Sequence, residues 1–499
     1  MNQSTRHSKS SFFITPRILR FLLIACLAAL AWHLLPDAER SLPHNLPADS
    51  ELMAKVPTFV FREPMLPGFD SLQKKKAALG KALFFDKRFS ANSEISCSTC
   101  HVPEKSFSDG RATGKGLAVG ARKTPALINV FANSWFFWDG RADSLQSQAL
   151  GPVEHPGEHG ISRTHVVRLI LTHYLKEFKN SFPDFPVQLH PEDLPKEAMP
   201  FQPPLEPSAK MAMYTLASLD SFSYQDALLV RSRKEDKAIK QITTEVTDLR
   251  PPTPEDWGKA WEGLGQKRKD QINLIFSYFG EAIAHYERGL VATNSAFDRF
   301  AARLAKTENV DASLSEEFGE KELLGLKLFL GPGACTNCHF GPTLSNQQFH
   351  NIGFPEPENP DPDYLDAGRS VGVILAKTSP FNCLGHWFTE SNPDALSCQE
   401  IPWLDLENLE NVGAFKTPTL RNVAERAPYG HDGRFPDLRS ILDHYNKLPG
   451  EPFLGHREET LKPLNFTPDE LSALESFLNA LSSDIIDSVT GEKAKSPAL

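Results

Sequence analysis

Apolar residues recur at helical spacing in two long stretches of the chain. The first predicts a helix within residues 266–300 that packs between two halves of the molecule; its apolar positions are Ile272, Ile275, Phe276, Phe279, Ile283, Tyr286 and Leu290. The second begins at Thr467 with a capping-box pattern and with Pro468 at the first helical position. Its expected buried face consists of Leu471, Leu474, Phe477, Leu478 and Leu481.

The N-terminus has the pattern of an export signal. Four basic residues, Arg6, Lys9, Arg17 and Arg20, precede a mostly apolar run from Phe21 to Leu35. Fifteen residues are few for a membrane-spanning helix and typical of a secretory leader. We therefore interpret residues 1–35 as a signal peptide or N-terminal anchor, with its cleavage left open, and expect a periplasmic protein.

Composition shifts divide the rest of the chain. Residues 36–68 are rich in proline and predict a linker, and residues 69–181 form a first domain. Proline and charge dominate residues 182–265, which we interpret as an insertion or connection ahead of the predicted helix. A second domain spans residues 317–483, and the polar residues 484–499 form a tail.

The two domains repeat one another. The segment Lys123 to Val130 matches Lys416 to Val423, and Asp139 to Arg141 matches Asp432 to Arg434, both at an offset of 293 residues (416 − 123 and 432 − 139). Two Cys-x-x-Cys-His motifs are offset by only 238 (335 − 97), so the second copy carries 55 additional residues (293 − 238). Two copies of one structural unit explain this pattern.

Composition and cysteine usage narrow the function. The 499 residues carry a formal charge of −10, which argues against a nucleic-acid partner and fits a basic electron-transfer partner. Of the seven cysteines, Cys26 lies in the leader and four lie in the two motifs. The remaining pair, Cys383 and Cys398, lies in the additional segment, and we expect it to form a structural disulfide after export.

The Cys-x-x-Cys-His motifs predict covalent haem. Two cysteines three positions apart can bond one edge of a porphyrin, and the following histidine then faces the iron. A zinc site would need a second ligand pair near each motif, and a thioredoxin-like dithiol would need a βαβ context. We expect two c-type haems, one bound by Cys97 and Cys100 with His101 as axial ligand. The other is bound by Cys335, Cys338 and His339.

From about residue 70 to 483 the chain resembles the bacterial di-haem cytochrome c peroxidase superfamily, which includes MauG and MbnH-type enzymes. The resemblance implies a mainly α protein with two cytochrome c-like haem domains, a peroxide-reactive haem in the first and an electron-transfer haem in the second. The matching segments are Leu83 to Asp86, Phe107 to Gly110, Phe137 to Arg141, Gln148 to Pro152, Phe349 to Gly353 and Gly413 to Gly433.

The resemblance also assigns roles in the first domain. Gln148, Pro152 and Glu158 match the distal side of the peroxidatic haem, where Glu158 would move a proton between the two peroxide oxygens. Trp138 matches the residue between the haems and would relay electrons, although core packing is its simpler alternative. A solvated loop carboxylate is the simpler alternative for Glu158.

Two departures from the family pattern affect the irons. No histidine occurs between Val102 and Lys123, where related peroxidases have a resting-state ligand, so we expect a first haem open to peroxide. No methionine follows Met213, so the second haem lacks the usual thioether ligand. Its sixth ligand stays open among Tyr429, His431, His350 and water. The family's calcium site is in doubt because Lys123 occupies a position where asparagine is common.

The sequence thus predicts a haem peroxidase that reduces hydrogen peroxide, with a leaning towards MauG- or MbnH-like oxidation of a partner protein. The alternatives are a conventional cytochrome c peroxidase, supplied by a small cytochrome or cupredoxin, and a non-catalytic di-haem electron carrier. Oligomeric state is not predicted.

Overall fold

The computed structural model describes residues 44–62, 65–186, 188–201, 253–355, 366–390 and 396–496. The predicted leader, residues 1–35, lies outside them. The prediction of a mainly α protein is confirmed. Its helices are α1 Asp49–Lys55, α2 Ser71–Phe85, α3 Cys97–Cys100, α4 Leu145–Glu154, α5 Arg163–His173, α6 Leu175–Ser181, α7 Glu255–Glu262, α8 Gln266–Arg288, α9 Ala296–Thr307, α10 Glu320–Leu330, α11 Arg369–Thr378, α12 Leu396–Glu400, α13 Leu438–Lys447 and α14 Pro468–Asn479.

Short strands connect distant parts of the chain. The first antiparallel sheet has the order β1-β4-β5, and the second pairs β2 with β3. In the second sheet Phe349 lies opposite Lys416, which joins the segment after the second Cys-x-x-Cys-His motif to the Lys-Thr-Pro segment. The strands are β1 Leu290–Val291, β2 Phe349–His350, β3 Phe415–Lys416, β4 Ile486–Asp487 and β5 Glu492–Lys493.

The first half is built on a close crossing of α2 and α8. A Cβ atom placed on Gly80 of α2 would lie 1.8 Å from the backbone oxygen of Ala282 in α8, so only glycine permits this approach. The apolar stripe of α8 enters the same core as Leu83 and Phe84 of α2. The helix predicted between the halves therefore closes the first half instead, because its apolar face finds its partner there.

The second half repeats that crossing with α10 and α14. A Cβ atom on Gly325 would lie 2.0 Å from the backbone oxygen of Ala473. Helix α14 begins as the sequence predicts, since the Thr467 hydroxyl accepts from the amide of Glu470 and Pro468 is the first helical residue. The offset between the two closing helices is 191 residues (473 − 282).

Matching asparagines confirm this alignment of the halves. Asn129 and Asn422 both have a positive φ of 53°. The Asn129 side chain holds the backbone of Ala292 through a pair of hydrogen bonds, and the Asn422 side chain holds Ser483 in the same way. The two backbone partners, Ala292 and Ser483, are again 191 residues apart (483 − 292). Each asparagine therefore ties its loop to the chain that follows its closing helix.

Two segments predicted to be loose are packed instead. In the region predicted as a linker, Leu52, Val56 and Phe59 lie in the core of the second half. In the predicted tail, Ile485 and Ala494 lie in the core of the first half. The N-terminal segment thus packs into the core of the second half, and the C-terminal segment packs into the core of the first half. None of the described helices is long and apolar enough to span a membrane.

The additional segment of the second half lies against the first half. Cys383 and Cys398 form the expected disulfide. The Cys383 amide donates to the Asp143 carboxylate at 2.7 Å, and the Gln146 side chain bonds the backbone of residues 387, 389 and 390. The disulfide-bonded segment thereby rests on the start of α4, the helix that carries Gln148 and Pro152.

Candidate haem sites

The first haem site comprises Cys97, Cys100 and His101. Both cysteines lie on the single turn α3, whose N-terminus is capped by Ser96. The His101 Nδ1–H donates to the carbonyl of Phe107 at 3.1 Å. This bond fixes the tautomer, so Nε2 has a free lone pair for an iron.

The second haem site comprises Cys335, Cys338 and His339 and has the same construction. The His339 Nδ1–H donates to the carbonyl of Leu344 at 2.8 Å. A serine hydroxyl then ties each site to the matching Lys-Thr-Pro segment: Ser108 donates to the Thr124 carbonyl and Ser345 to the Thr417 carbonyl. The repeat seen in the sequence therefore extends to the hydrogen bonds that orient both histidines.

A cavity of about 740 Å³, here called the central cavity, connects the two sites. His101 and His339 both line it, together with mostly apolar residues from each half. This volume lies in the range of ligand and cofactor pockets. Burial lowers the pKa of both histidines, to about 4 for His339, which keeps each imidazole neutral as an iron ligand requires.

The four motif thiols are suited to thioether bonds. Burial raises the pKa of Cys97, and it raises the pKa values of Cys100 and Cys338 to about 11 and of Cys335 to about 12. Zinc would require thiolates, which these environments disfavour. Within the described ranges no group of three or more His, Cys, Asp or Glu side chains could hold a metal ion.

Repeat-related lysines supply buried positive charge to the central cavity. Lys123 and Lys416 both line it, and burial lowers the pKa of each to about 8. Neither ammonium group forms an ion pair within the part of the chain that the structure describes; Lys123 donates to the Arg111 carbonyl and Lys416 to the Gln347 side chain. Haem propionates are negative groups that would compensate these charges, so the lining fits two haems.

The predicted distal residues lie around His101. Gln148 lines the central cavity, and its buried Oε1 has no hydrogen-bond partner among the described residues. Pro152 and Glu158 line a smaller cavity, here called the side pocket, which also contains Cys97, Cys100 and His101. Glu158 lies near enough for its charge to add to burial in raising the pKa of Cys100. Its side chain is 41% exposed and lies 3.9 Å from His155.

Trp138 lies where the two halves meet. Its indole Nε1–H donates to the Lys123 carbonyl, and its own carbonyl accepts from the amide of Lys416. The indole ring lines the central cavity, with its centroid 6.5 Å from that of His431 in the second half. Trp138 therefore lies at the junction of the two halves and contacts both.

The three residues considered as sixth ligand of the second haem all line the central cavity. The Tyr429 hydroxyl donates to the Val423 carbonyl, and both ring nitrogens of His350 are hydrogen-bonded, to Glu458 and Asn346. Either residue would have to give up a hydrogen bond to reach an iron. The His431 ring stacks on Phe415, with the centroids 3.6 Å apart.

The structure also reveals a residue that the sequence patterns do not indicate. Glu287 lines the side pocket beside Glu158 and is only 3% exposed. It belongs to the apolar stripe of α8 by position, and only its alignment with Leu478 of α14 (478 − 287 = 191) marks it as unusual.

The sequence is similar to known di-haem proteins. Residues 74–203 match the family model of the di-haem cytochrome c peroxidases. The methylamine utilization protein MauG of Methylorubrum extorquens is 27% identical over 424 residues, 84% of this chain and 81% of that protein. The cytochrome-c peroxidase IdrP2 of Denitromonas iodatirespirans is 26% identical over 82% of each chain.

Among solved structures, one match is the diheme peroxidase BthA from Burkholderia thailandensis E264. The match covers 85% of this chain and 90% of the BthA chain, at 20% identity and a TM-score of 0.48. The sequence matches extend across both Cys-x-x-Cys-His sites, and the predicted resemblance is confirmed. The chain is thus similar over most of its length to di-haem cytochrome c peroxidases and MauG proteins, and it is a haem peroxidase.

Proposed function

We propose that this peroxidase acts in the periplasm and reduces hydrogen peroxide at the first haem site, while the second haem site exchanges electrons with it. The difference between the two halves carries the proposal. Gln148 lines the central cavity, and the side pocket that holds Glu158 lies beside His101 and contains no residue of the second half. A site that only transfers electrons needs no proton donor, whereas O–O cleavage does.

The side chains of the first half have distinct tasks in this proposal. When bound, the haem supplies the iron that takes up peroxide and exchanges electrons. Glu158 accepts a proton from one peroxide oxygen and delivers it to the other. The buried Oε1 of Gln148, which has no hydrogen-bond partner within the described part of the chain, accepts from a peroxide O–H. Pro152 narrows the side pocket and helps to exclude water from it.

Electrons reach the first site through Trp138 in this proposal, because its ring lies between the halves and its backbone joins them. The electron source is then either a small redox protein or a protein substrate that becomes oxidised. We favour the second, MauG-like option, because no histidine between Val102 and Lys123 can close the first iron and no methionine is available to the second. Consumption of a reduced cytochrome c at a competent rate would instead indicate a conventional peroxidase.

The test is the optical and electron paramagnetic resonance spectrum of the fully oxidised protein before and after one equivalent of hydrogen peroxide. We expect one high-spin haem that reacts at once, without prior reduction. Two low-spin haems that ignore peroxide would contradict an open site. If reduction by one electron also failed to produce a reaction, the protein would be an electron carrier.

A further inference from the structure

Glu287 is a buried carboxyl in the wall of the side pocket. It is 3% exposed, and its Oε2 has no hydrogen-bond partner among the described residues. The pocket that it lines also contains Pro152, Glu158 and the first haem site. A buried carboxyl without full hydrogen bonding is costly in its charged form and persists as a neutral acid. Burial accordingly raises the pKa of Glu287 to about 8.

The repeat shows that this acid is not required by the fold. Helices α8 and α14 align at an offset of 191 residues, as their crossings at Ala282 and Ala473 show. Leu478 therefore occupies the position of Glu287 in the second half, where it lies in the core and lines the central cavity. The same helix position is apolar beside the electron-transfer site and acidic beside the peroxidatic site.

A second buried carboxyl, Glu390, adjoins the first and comes from the disulfide-bonded segment. Its side chain is 7% exposed, one oxygen pairs with Arg288 at 3.0 Å, and Oε1 has no partner among the described residues. Burial raises the pKa of Glu390, and its charge adds to burial in raising that of Glu287. Glu390 thus pairs with the residue next to Glu287, and each of the two buried carboxyls keeps one oxygen without a partner among the described residues.

Next to Glu390 in the chain, a short series of polar contacts leads from Thr389 to the surface. The hydroxyl of Thr389 donates to Glu281 at 2.6 Å. The other oxygen of Glu281 pairs with the ammonium group of Lys76 at 2.5 Å, and the Lys76 side chain is 15% exposed. The charged and titratable groups that face the carboxyl pair are Arg288, Glu281, Asp143, Glu158, His159, Cys97 and His101.

We propose that Glu287 and Glu390 form a proton-holding pair that supplies the first haem site from the surface at Lys76. The inference rests on the proposed peroxidase function. Reduction of one H2O2 to two waters takes up two protons and two electrons; the electrons come from the reduced partner protein through the second haem. Glu158 moves a proton within the bound peroxide, and the Glu287–Glu390 pair replaces the protons that leave with water. The pair does not contact peroxide and acts through Glu158.

Infrared spectroscopy of the oxidised, haem-loaded protein tests the pair without turnover. A protonated buried carboxyl gives a C=O stretching band that shifts in D2O. We expect this band in the wild type at neutral pH, and we expect Glu287→Gln to remove the part of it that comes from Glu287. Glu410→Gln is the matched control. Glu410 lies in the additional segment, as Glu390 does, but its side chain is 72% exposed. Absence of the band in the wild type would overturn the proposal.

Single-turnover kinetics provide the second readout. Glu287→Gln and Glu390→Gln should slow proton uptake after peroxide addition by about ten- to a hundredfold, at or below the lower end of general acid–base effects, and should raise the solvent isotope effect. Glu287→Leu, which copies Leu478, should do the same. If Glu287→Gln does not fold, Glu390→Gln still decides, since that residue approaches from another segment. Wild-type rates in both Gln variants would exclude the pair, whereas a wild type inert to peroxide would refute the proposed function and leave the infrared band to decide on the pair.

Discussion

At the scale of single residues, Glu158 differs from the other acids near the first haem site because its side chain remains 41% exposed. A carboxyl with access to water can exchange its proton quickly, as a group that both accepts and donates during O–O cleavage must. The buried Glu287 cannot do this alone. The two acids of the side pocket therefore suit different steps, the first a transfer and the second a supply.

Glu158→Gln should keep both haems and slow peroxide cleavage by roughly two to four powers of ten, which is the scale of general acid–base help. The amide preserves the size of the side chain but cannot accept the proton. Stopped-flow spectroscopy of the oxidised protein mixed with peroxide measures this rate. Glu94→Gln serves as a control, since Glu94 is an exposed residue of the same half outside both cavities. Unchanged peroxide kinetics in Glu158→Gln would remove it from the mechanism.

Residue-level chemistry was predictable where local sequence determines it. Cys97, Cys100 and His101 are neighbours in the chain, so their joint geometry follows from one helical turn. The Glu287–Glu390 pair was not predictable, because the two residues lie 103 positions apart (390 − 287) and meet only through the packing of the additional segment. The alignment of Glu287 with Leu478 was the one sequence signal available.

At the scale of elements, each half depends on one glycine at its main helix crossing. Gly80→Ala and Gly325→Ala should each destabilise the protein by about 1–3 kcal/mol, as overpacking of a core does. The new methyl groups would meet backbone oxygens at 1.8 Å and 2.0 Å, which no side-chain rotation can relieve. Thermal unfolding of the haem-loaded protein measures the loss.

Gly68→Ala is the matched control for both glycine variants, because a Cβ atom there would have nothing within 4 Å. It should leave the melting temperature nearly unchanged. Equal melting temperatures for all three variants would mean that the helices move apart freely at their crossings. Such a result would contradict the close approach on which both halves are built.

Helical periodicity predicted α8 and α14 correctly but not the partner of α8. A periodic stripe states that one face is buried and carries no information about the surface that covers it. The packed segment around α1 was missed because proline obscured a short apolar pattern: Leu52, Val56 and Phe59 are spaced four and three residues apart. That spacing was the signal that could have found it.

At the scale of the whole molecule, the internal repeat made the two-site architecture predictable, and the departures from the repeat locate the chemistry. The sequence places 55 additional residues in the second half (293 − 238), yet part of them packs on the first half. Tertiary packing alone decides this. The second half thus supplies part of the structure that packs behind the first haem site.

Because both haem sites have the same arrangement of residues, removing one axial histidine at a time tests which half reacts with peroxide. His101→Ala should abolish most of the first reaction with peroxide, since the proximal imidazole that donates to Phe107 is lost beside Glu158. His339→Ala should spare that first reaction and chiefly slow the delivery of electrons, because the side pocket that holds Glu158 adjoins His101 and does not include His339. A rapid-mixing experiment with one equivalent of peroxide isolates the first reaction, and steady-state turnover with a reduced partner measures electron delivery. In both variants the cysteines retain covalent attachment of haem, so haem content is the common control. Equal loss of the first reaction in both would mean that the two sites react as one unit, and the division of labour between the halves would have to be abandoned.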